Sequence, residues 1–267
     1  MKLKVLVDNN TYIDIYYLGE PAVSYYIEDG DDRILFDVGY SDIFIHNANK
    51  MNIDLNSINK IVISHGHDDH TGGLKYFFKE NRNVEVISHS NSFNYKEDAT
   101  GLYIGTSVKK EELENKFKLT LTKEPLKISD NIIYLGQIPK TNDFEDSYTI
   151  GKTIIDNEKV SDSIEEDSAI VYKSSKGLFI ITGCSHSGIC NIIEYAKKVC
   201  HEDRVYGVIG GFHLFENNDR LQNTIKYFKD NNIELLYPCH CVSLEAKIEI
   251  AKQMKINEVG VGLEIEI

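Results

Sequence analysis

Short apolar runs alternate along the chain with stretches whose apolar positions recur at the helical interval. Lys2–Val7 and residues 60–64 have the composition of buried strands, whereas residues 189–199 have helical spacing. Asp29-Gly30-Asp31 lies between two strand-like runs and predicts a hairpin turn. Further strands are expected at residues 23–27, 33–37, 84–87, 118–122, 132–135, 169–172, 178–182, 205–209, 235–237 and 259–267. Further helices are expected at residues 44–51, 74–79, 111–117, 221–228 and 244–254.

The two halves of the chain carry the same order of elements. Each has a hairpin, and each has an apolar strand that runs into a polar, histidine-bearing loop before a helix, at residues 61–66 and 180–188. Two packed sheets with helices outside them would suit this order. No Pro- or Gly-rich linker separates the halves, so we predict a single domain over residues 1–267. Within it, residues 90–165 are the least regular, and the polar segments 141–148 and 157–167 are predicted as loops over a site or as insertions.

The composition is that of an ordinary globular protein, with 42% hydrophobic and 27% charged residues. The net charge of −13 argues against a broad nucleic-acid-binding surface, which needs clustered basic residues. No apolar run approaches the roughly 20 residues that cross a bilayer, and the first residues reach a turn too early for a signal peptide. The five cysteines form no C-x-x-C motif, which favours thiols in a reducing compartment. We therefore predict a cytoplasmic protein that binds neither nucleic acid nor membrane.

The strongest chemical signal lies directly after the strand at residues 60–64. Residues 64–73 read Ser-His-Gly-His-Asp-Asp-His-Thr-Gly-Gly, with three histidines and two aspartates in six positions. Imidazole and carboxylate groups are ligands that suit zinc, iron or manganese. The glycines allow the loop to bend sharply enough for several of these side chains to converge. The motif predicts a metal site.

The motif H-x-H-x-D-H after an apolar strand, followed by T-G-G, resembles the metallo-β-lactamase superfamily. Residues 33–39 resemble the family's first motif, whose aspartate is here Asp37 and supports the metal loop by hydrogen bonding. Cys184 stands where the family has a bridging ligand at a strand end, and Pro238-Cys239-His240 resembles the last motif, which supplies a histidine. The resemblance implies an α/β fold, a four-layer αββα sandwich of two mixed β-sheets with outer helices.

A narrower resemblance is carried by residues 136–145, 182–193 and 210–214. They are similar to a subgroup labelled 7,8-dihydropterin-6-methyl-4-(β-D-ribofuranosyl)aminobenzene 5′-phosphate synthase, or metal-dependent hydrolase. The label implies a phosphorylated or pterin-related substrate, but it does not define the substrate of this chain.

The chain departs from the commoner family pattern in its middle histidine. Only His89 lies between His70 and Cys184, just after the strand at residues 84–87 and too early for the usual position. We expect His89 to lie at the surface or to support the site without binding metal. His186, two residues beyond Cys184, is expected to fill the gap, although either histidine could complete the site.

The resemblance implies one or two divalent metal ions, zinc first and iron or manganese as alternatives. Bound metal would lower the pKa of water from 15.7 towards about 7 and give a nucleophile at neutral pH. Asp69 could also accept a proton, and His213, after Gly210-Gly211, is predicted to contact substrate or transfer a proton. The expected ligands are His65, His67 and His186 for one metal, and Asp69, His70 and His240 for the other, with Cys184 near the bridge.

The predicted function is metal-dependent hydrolysis or group transfer by metal-activated hydroxide on a small anionic substrate. Two alternatives stay open. The same ligands hold two irons in flavin-coupled oxygen reductases of this superfamily, although 267 residues leave no room for an attached flavodoxin-like domain. The other alternative is a non-catalytic, ligand-binding protein that keeps metal for folding. The sequence leaves the oligomeric state open.

Overall fold

Residues 1–77, 84–145 and 148–267 are described by the computed structural model. The chain divides into two units. Unit 1 contains Met1–Lys123, Tyr148–Glu166 and Gly260–Ile267, and unit 2 contains Glu124–Ser147 and Asp167–Val259.

The described elements follow one another as mixed strands and helices. The strands are β1 (Lys2–Val7), β2 (Ser24–Asp29), β3 (Asp32–Phe36), β4 (Lys60–Val62), β5 (Glu85–Ser88), β6 (Lys96–Glu97), β7 (Lys118–Leu121), β8 (Leu126–Lys127), β9 (Ile132–Tyr134), β10 (Lys152–Ile155), β11 (Glu158–Ser161), β12 (Ala169–Ser174), β13 (Gly177–Thr182), β14 (Val205–Gly210), β15 (Leu235–Pro238) and β16 (Glu264–Glu266). The helices are α1 (Ile43–Lys50), α2 (Asp68–Thr71), α3 (Leu74–Phe77), α4 (Lys110–Lys116), α5 (Ile189–Cys200), α6 (Asp219–Asp230) and α7 (Leu244–Ala251), with a 3-10 helix at Leu55–Ser57.

Unit 1 is organised around a mixed sheet with the strand order β16-β1-β2-β3-β4-β5-β7. The strands from β16 to β3 are antiparallel neighbours, whereas β3, β4, β5 and β7 are parallel neighbours. Leu35 and Ile61 on the sheet pack with Phe44 of α1 and Phe77 of α3 in one apolar core. A smaller antiparallel sheet, β11-β10-β6, belongs to the same unit.

Unit 2 repeats this plan with the strand order β15-β14-β13-β12-β9-β8. The β12–β13 hairpin is antiparallel, and β13, β14 and β15 are parallel neighbours. All six residues of β13 are buried, which explains its continuous apolar sequence. The apolar core of unit 2 contains Ile180 and Val208 from the sheet, Ile192 from α5, and Leu221 and Phe228 from α6.

The start of α5 is held by a side chain from a distant loop. No side chain caps the helix at Gly188. Instead, the buried Glu145 carboxylate accepts hydrogen bonds from the backbone N–H groups of Cys190 and Asn191, both at 2.9 Å. A negative charge at a helix N-terminus is also favoured by the helix dipole. Glu145 therefore ties the loop before it to α5.

The predicted α/β class with mixed sheets is confirmed. The edge strand expected within residues 259–267 is β16, at the end of its sheet. The polar loop predicted at residues 157–167 is wrong in part, because Glu158–Ser161 pairs with β10 as a strand. All four residues of this strand are exposed, so no apolar alternation marked it. Residues 78–79 of the helix expected at 74–79 lie outside the described residues.

None of the helices in the described ranges is both long and apolar enough to cross a bilayer. The single domain predicted over residues 1–267 stays a prediction.

Replacing Glu145 by alanine should destabilise unit 2. It removes the acceptor for two buried N–H groups, and we expect a loss of about 2–3 kcal/mol in the free energy of unfolding, measured by urea denaturation. The exposed Asp143 provides the matched control, for which Asp143→Ala should change the free energy by less than about 0.5 kcal/mol. Equal effects of the two substitutions would contradict the capping role.

Candidate metal centre

The carboxyl ends of neighbouring parallel strands carry the polar side chains of unit 1. Asp37 directly follows β3, His65 lies three residues after β4, and His89 directly follows β5. Because β3, β4 and β5 are parallel neighbours, these ends lie along one edge of the sheet. The topology therefore brings residues far apart in the sequence to the same place.

Asp37 is the hydrogen-bonding centre of this edge. Its Oδ1 accepts from the Ser64 backbone N–H at 2.8 Å, and its Oδ2 accepts from Ser64 Oγ and His70 Nδ1, both at 2.7 Å. All three residues are fully buried. Because the carboxylate only accepts, His70 carries a proton on Nδ1, and Nε2 is the ring nitrogen that could bind a metal.

The tautomer of His65 follows from the same network. The Ser64 hydroxyl donates to Asp37, so its oxygen accepts from His65 Nδ1 at 3.0 Å. His65 Nε2 is then the unprotonated nitrogen, and it lies 3.0 Å from His67 Nδ1. Two imidazole nitrogens on one zinc ion, each about 2.1 Å from it, can be at most about 4.2 Å apart. The two nitrogens are thus close enough to share a metal ion.

The electrostatics of the loop also suit a cation. Burial lowers the pKa of His67 to about 4, which keeps the imidazole in the neutral form that binds metal. Burial also lowers the pKa of His70, but the Asp69 and Asp37 carboxylates outweigh it and hold that pKa well above its ordinary value. His70 Nε2 lies 3.4 Å from Asp69 Oδ2. Carboxylates that favour a proton here would equally favour a metal cation.

The glycines after the histidines allow the loop to approach the strand-end segment closely. An added Cβ at Gly73 would lie 2.1 Å from the Val38 carbonyl oxygen. Any larger residue would push α2 and α3 away from the segment that follows Asp37. The last glycine of the T-G-G segment, Gly73, is therefore required by packing.

Unit 2 presents its polar residues at the corresponding strand ends. Cys184 follows β13, His213 follows β14 and His240 follows β15. Ligand atoms of Cys184 and His240 lie within 4.8 Å of each other. The rings of His186 and His213 have centroids 4.6 Å apart. The structure thus brings the predicted residues of each unit together.

Left-handed backbone conformations turn these strand ends. Asp37, Ser185, His213 and His240 have φ values of 55°, 59°, 49° and 51°. Such values are uncommon for residues other than glycine, and they cluster at functional sites. The chain therefore reverses sharply where the polar side chains are presented.

Several residues that support these loops were missed by sequence reasoning. Asp167 is fully buried and accepts from the Ser187 N–H at 2.8 Å, which holds the loop around His186. Glu20 accepts from the backbone N–H groups of Tyr40 and Ser41 at 2.9 and 3.1 Å. Both lie in polar or irregular stretches without periodicity, so no local signal identified them.

His89 requires a correction. The surface position considered for it is wrong, because the residue is fully buried. Its Nδ1 accepts a hydrogen bond from the Asn91 N–H at 3.1 Å. This hydrogen bond directs the Nδ1 atom of His89 toward the backbone of Asn91, two residues further along the chain.

Comparison with known proteins identifies the relatives of the chain. The sequence model of the metallo-β-lactamase superfamily matches residues 18–197. This match includes the histidine loop, Cys184 and His186, and it ends before His213 and His240.

Two relatives come from Methanocaldococcus jannaschii. An uncharacterized protein is 36% identical over 253 residues, covering 94% of both chains. A protein named 7,8-dihydropterin-6-methyl-4-(β-D-ribofuranosyl)-aminobenzene-5′-phosphate synthase is 33% identical over 234 residues, covering 84% of this chain and 80% of the other.

A crystal structure described as a metal-dependent hydrolase of the β-lactamase superfamily is 29% identical, with a TM-score of 0.86, and covers 100% of this chain and 99% of its own. The predicted α/β metallo-β-lactamase fold is confirmed.

Asp37→Asn should weaken metal binding while the fold survives. The amide cannot accept from Ser64 and His70 as the carboxylate does, and loss of such a support typically lowers metal affinity about 10–100-fold. The measurement is zinc affinity by chelator competition, with circular dichroism to check folding. Asp31→Asn, in the exposed turn between β2 and β3, should leave the affinity unchanged. Equal zinc affinities for the two variants would contradict this role and would show that Asp37 only connects the strand ends.

Proposed function

Because the chain belongs to the metallo-β-lactamase superfamily, we propose that it is a metal-dependent enzyme that hydrolyses, or transfers a group from, a small anionic substrate. The observation that carries the proposal is the pair of buried imidazole nitrogens of His65 and His67, which lie 3.0 Å apart. Asp37 orients the His65 ring of this pair through Ser64. Both imidazoles are buried, and two ring nitrogens at this separation could bind one metal ion.

The proposed ligands come from both halves of the sequence. One ion would be held by His65, His67 and His186, and a second by Asp69, His70, Cys184 and His240. Two lines of support are independent of each other. The histidine loop and Cys184 fall within the residues matched by the family model, and each side chain is of a type that binds divalent zinc, iron or manganese. We favour zinc, because histidine and cysteine ligands suit it.

Bound metal would supply a water of lowered pKa and an electrophilic centre that polarises the substrate. Side chains of the protein would transfer protons and contact the substrate. We propose that Asp69, whose side chain is 27% exposed, takes up a proton at a carboxylate oxygen. His213 packs against the rings of His186 and Phe215, with ring centroids 4.6 and 4.8 Å away. This packing fixes the His213 ring, which we propose contacts substrate or carries a proton.

The name of one relative supports the substrate class that we propose. That relative is named as a synthase whose product is a pterin-containing 5′-phosphate, and residues 136–145, 182–193 and 210–214 resemble that subgroup. We propose a phosphorylated or pterin-related substrate. With a chain charge of −13, bound metal would be the main attraction for an anion.

The hydrolase proposal is preferred over a di-iron redox enzyme and over a non-catalytic binding protein. The structure with a TM-score of 0.86 is described as a metal-dependent hydrolase, which supports the hydrolase proposal. None of the five cysteines, all of which lie in the described ranges, forms a disulfide. On that basis we also propose a cytoplasmic location.

Purified protein should contain about one to two equivalents of divalent metal per chain by elemental analysis. The double variant His65→Ala/His67→Ala should lose most of it, since removed ligands leave the ion open to water. His46→Ala, an exposed histidine on α1, is the matched control and should keep full content. Activity against phosphodiester, phosphomonoester and carboxylic ester substrates should vanish with chelator and return with metal. Full metal retention in the double variant would refute the proposal.

The choice between His186 and His89 has its own test. We expect His186→Ala to lower metal content by about one equivalent, because it removes one of the three ligands proposed for that ion. His89→Ala should leave metal content unchanged, since its Nδ1 serves the Asn91 turn. The reverse result would assign the ligand position to His89.

A further inference from the structure

A buried lysine supports the backbone of the histidine loop. Lys96, in β6, is only 1% exposed. Gly66, between the two histidines of the loop, lies directly against it, since an added Cβ there would be 2.8 Å from Lys96 Cε and 2.2 Å from the Ser92 carbonyl oxygen. The loop therefore has no space to move toward Lys96.

Two buried carboxylates hold the lysine. Lys96 Nζ lies 2.7 Å from Asp162 Oδ2 and 2.5 Å from Glu166 Oε1. Both acidic residues are 2% exposed. Asp162 is fixed in turn, because its Oδ1 accepts from the Ile164 N–H at 2.9 Å. The ammonium group thus has two partners in defined positions.

Such a triad is a poor device for stability alone. Removing three charged groups from water costs several kcal/mol per ion, and apolar replacements of similar volume are often neutral or stabilising. Burial lowers the pKa of Lys96, but Glu166 and Asp162 outweigh it and raise that pKa, so the lysine stays charged. A buried charged triad therefore calls for a role other than packing.

A backbone ladder links the lysine to the loop a second time. The Ile104 N–H donates to the Lys96 carbonyl at 3.1 Å, and the Ile104 carbonyl accepts from the Asp68 N–H at 2.9 Å. The next residue, Gly105, forms a β-bridge with His67. The loop is thus attached to Lys96 through both the side chain and the backbone.

The small antiparallel sheet β11-β10-β6 brings Lys96, Asp162 and Glu166 together. Lys96 pairs with Thr153 of β10, and β10 pairs with β11, after which Asp162 and Glu166 follow in the chain. All of these residues except Glu166 lie within residues 90–165, the least regular part of the sequence, where loops or insertions are predicted.

We propose that Lys96, fixed by Asp162 and Glu166, is a positioning residue that holds Gly66 in place and thereby sets the separation of His65 Nε2 and His67 Nδ1 for metal binding. The inference rests on the proposed metal site. It gives the small sheet β11-β10-β6 a role in setting the metal affinity of the site.

The test compares metal binding in charge-free variants of similar volume. Lys96→Met/Asp162→Asn/Glu166→Gln removes every charge of the triad together, so that no unpaired charge is left buried. We expect zinc affinity to fall about 10–100-fold, as for other residues that orient ligands. The absorption spectrum of the cobalt(II)-substituted protein should change, because the two histidines shift. Lys60→Met/Asp32→Asn, an ion pair at the opposite end of β4, is the control and should leave both readouts unchanged.

The outcomes separate the two proposals. If the wild-type protein binds neither zinc nor cobalt, the metal site itself is refuted. If wild type binds and the triple variant matches it within about twofold with the same cobalt spectrum, the positioning role is refuted. Should the triple variant not fold, Glu166→Gln decides, because it leaves Lys96 paired with Asp162. Unchanged zinc affinity in that variant would overturn the inference, and a weaker affinity with an altered spectrum would support it.

Discussion

The candidate metal centre depends on one buried carboxylate. Asp37 accepts three hydrogen bonds, two from Ser64 and one from His70, and so joins the ends of β3 and β4 to α2. These bonds also decide which nitrogens of His65 and His70 carry protons. The orientation of the His65 and His70 rings is therefore built into the fold.

The two units apply the same construction. In each, an antiparallel hairpin leads into parallel strands whose carboxyl ends present histidine, aspartate or cysteine. Left-handed residues turn these ends, and each such residue costs on the order of 1–3 kcal/mol. Fully buried strands such as β13 offset that cost by the apolar area they remove from water. A polar site of this kind requires a large apolar scaffold behind it.

The small sheet extends this dependence. It brings Asp162 and Glu166 to Lys96, and Lys96 to the back of Gly66. Its strand β11 is wholly exposed and has no apolar alternation, which is why it read as loop. Strand β11 is held by its pairing with β10 and by the buried charged residues that follow it in the chain. Neither interaction can be recognised from the residues of β11 alone.

The sequence by itself determined the α/β class, most strand and helix positions, and the loop of residues 64–73, because hydrophobic period and motif density are local properties. Its resemblance to the metallo-β-lactamase superfamily also pointed to Asp37, Cys184 and His240, which lie at or just after strand ends in the structure. Only the tertiary structure decided that His89 is buried, that Glu145 caps α5, that Asp167 holds Ser187, and that Lys96 lies beneath Gly66. Each of these depends on a partner elsewhere in the fold, and a polar residue has the same local sequence signal whether it is solvated or buried against that partner.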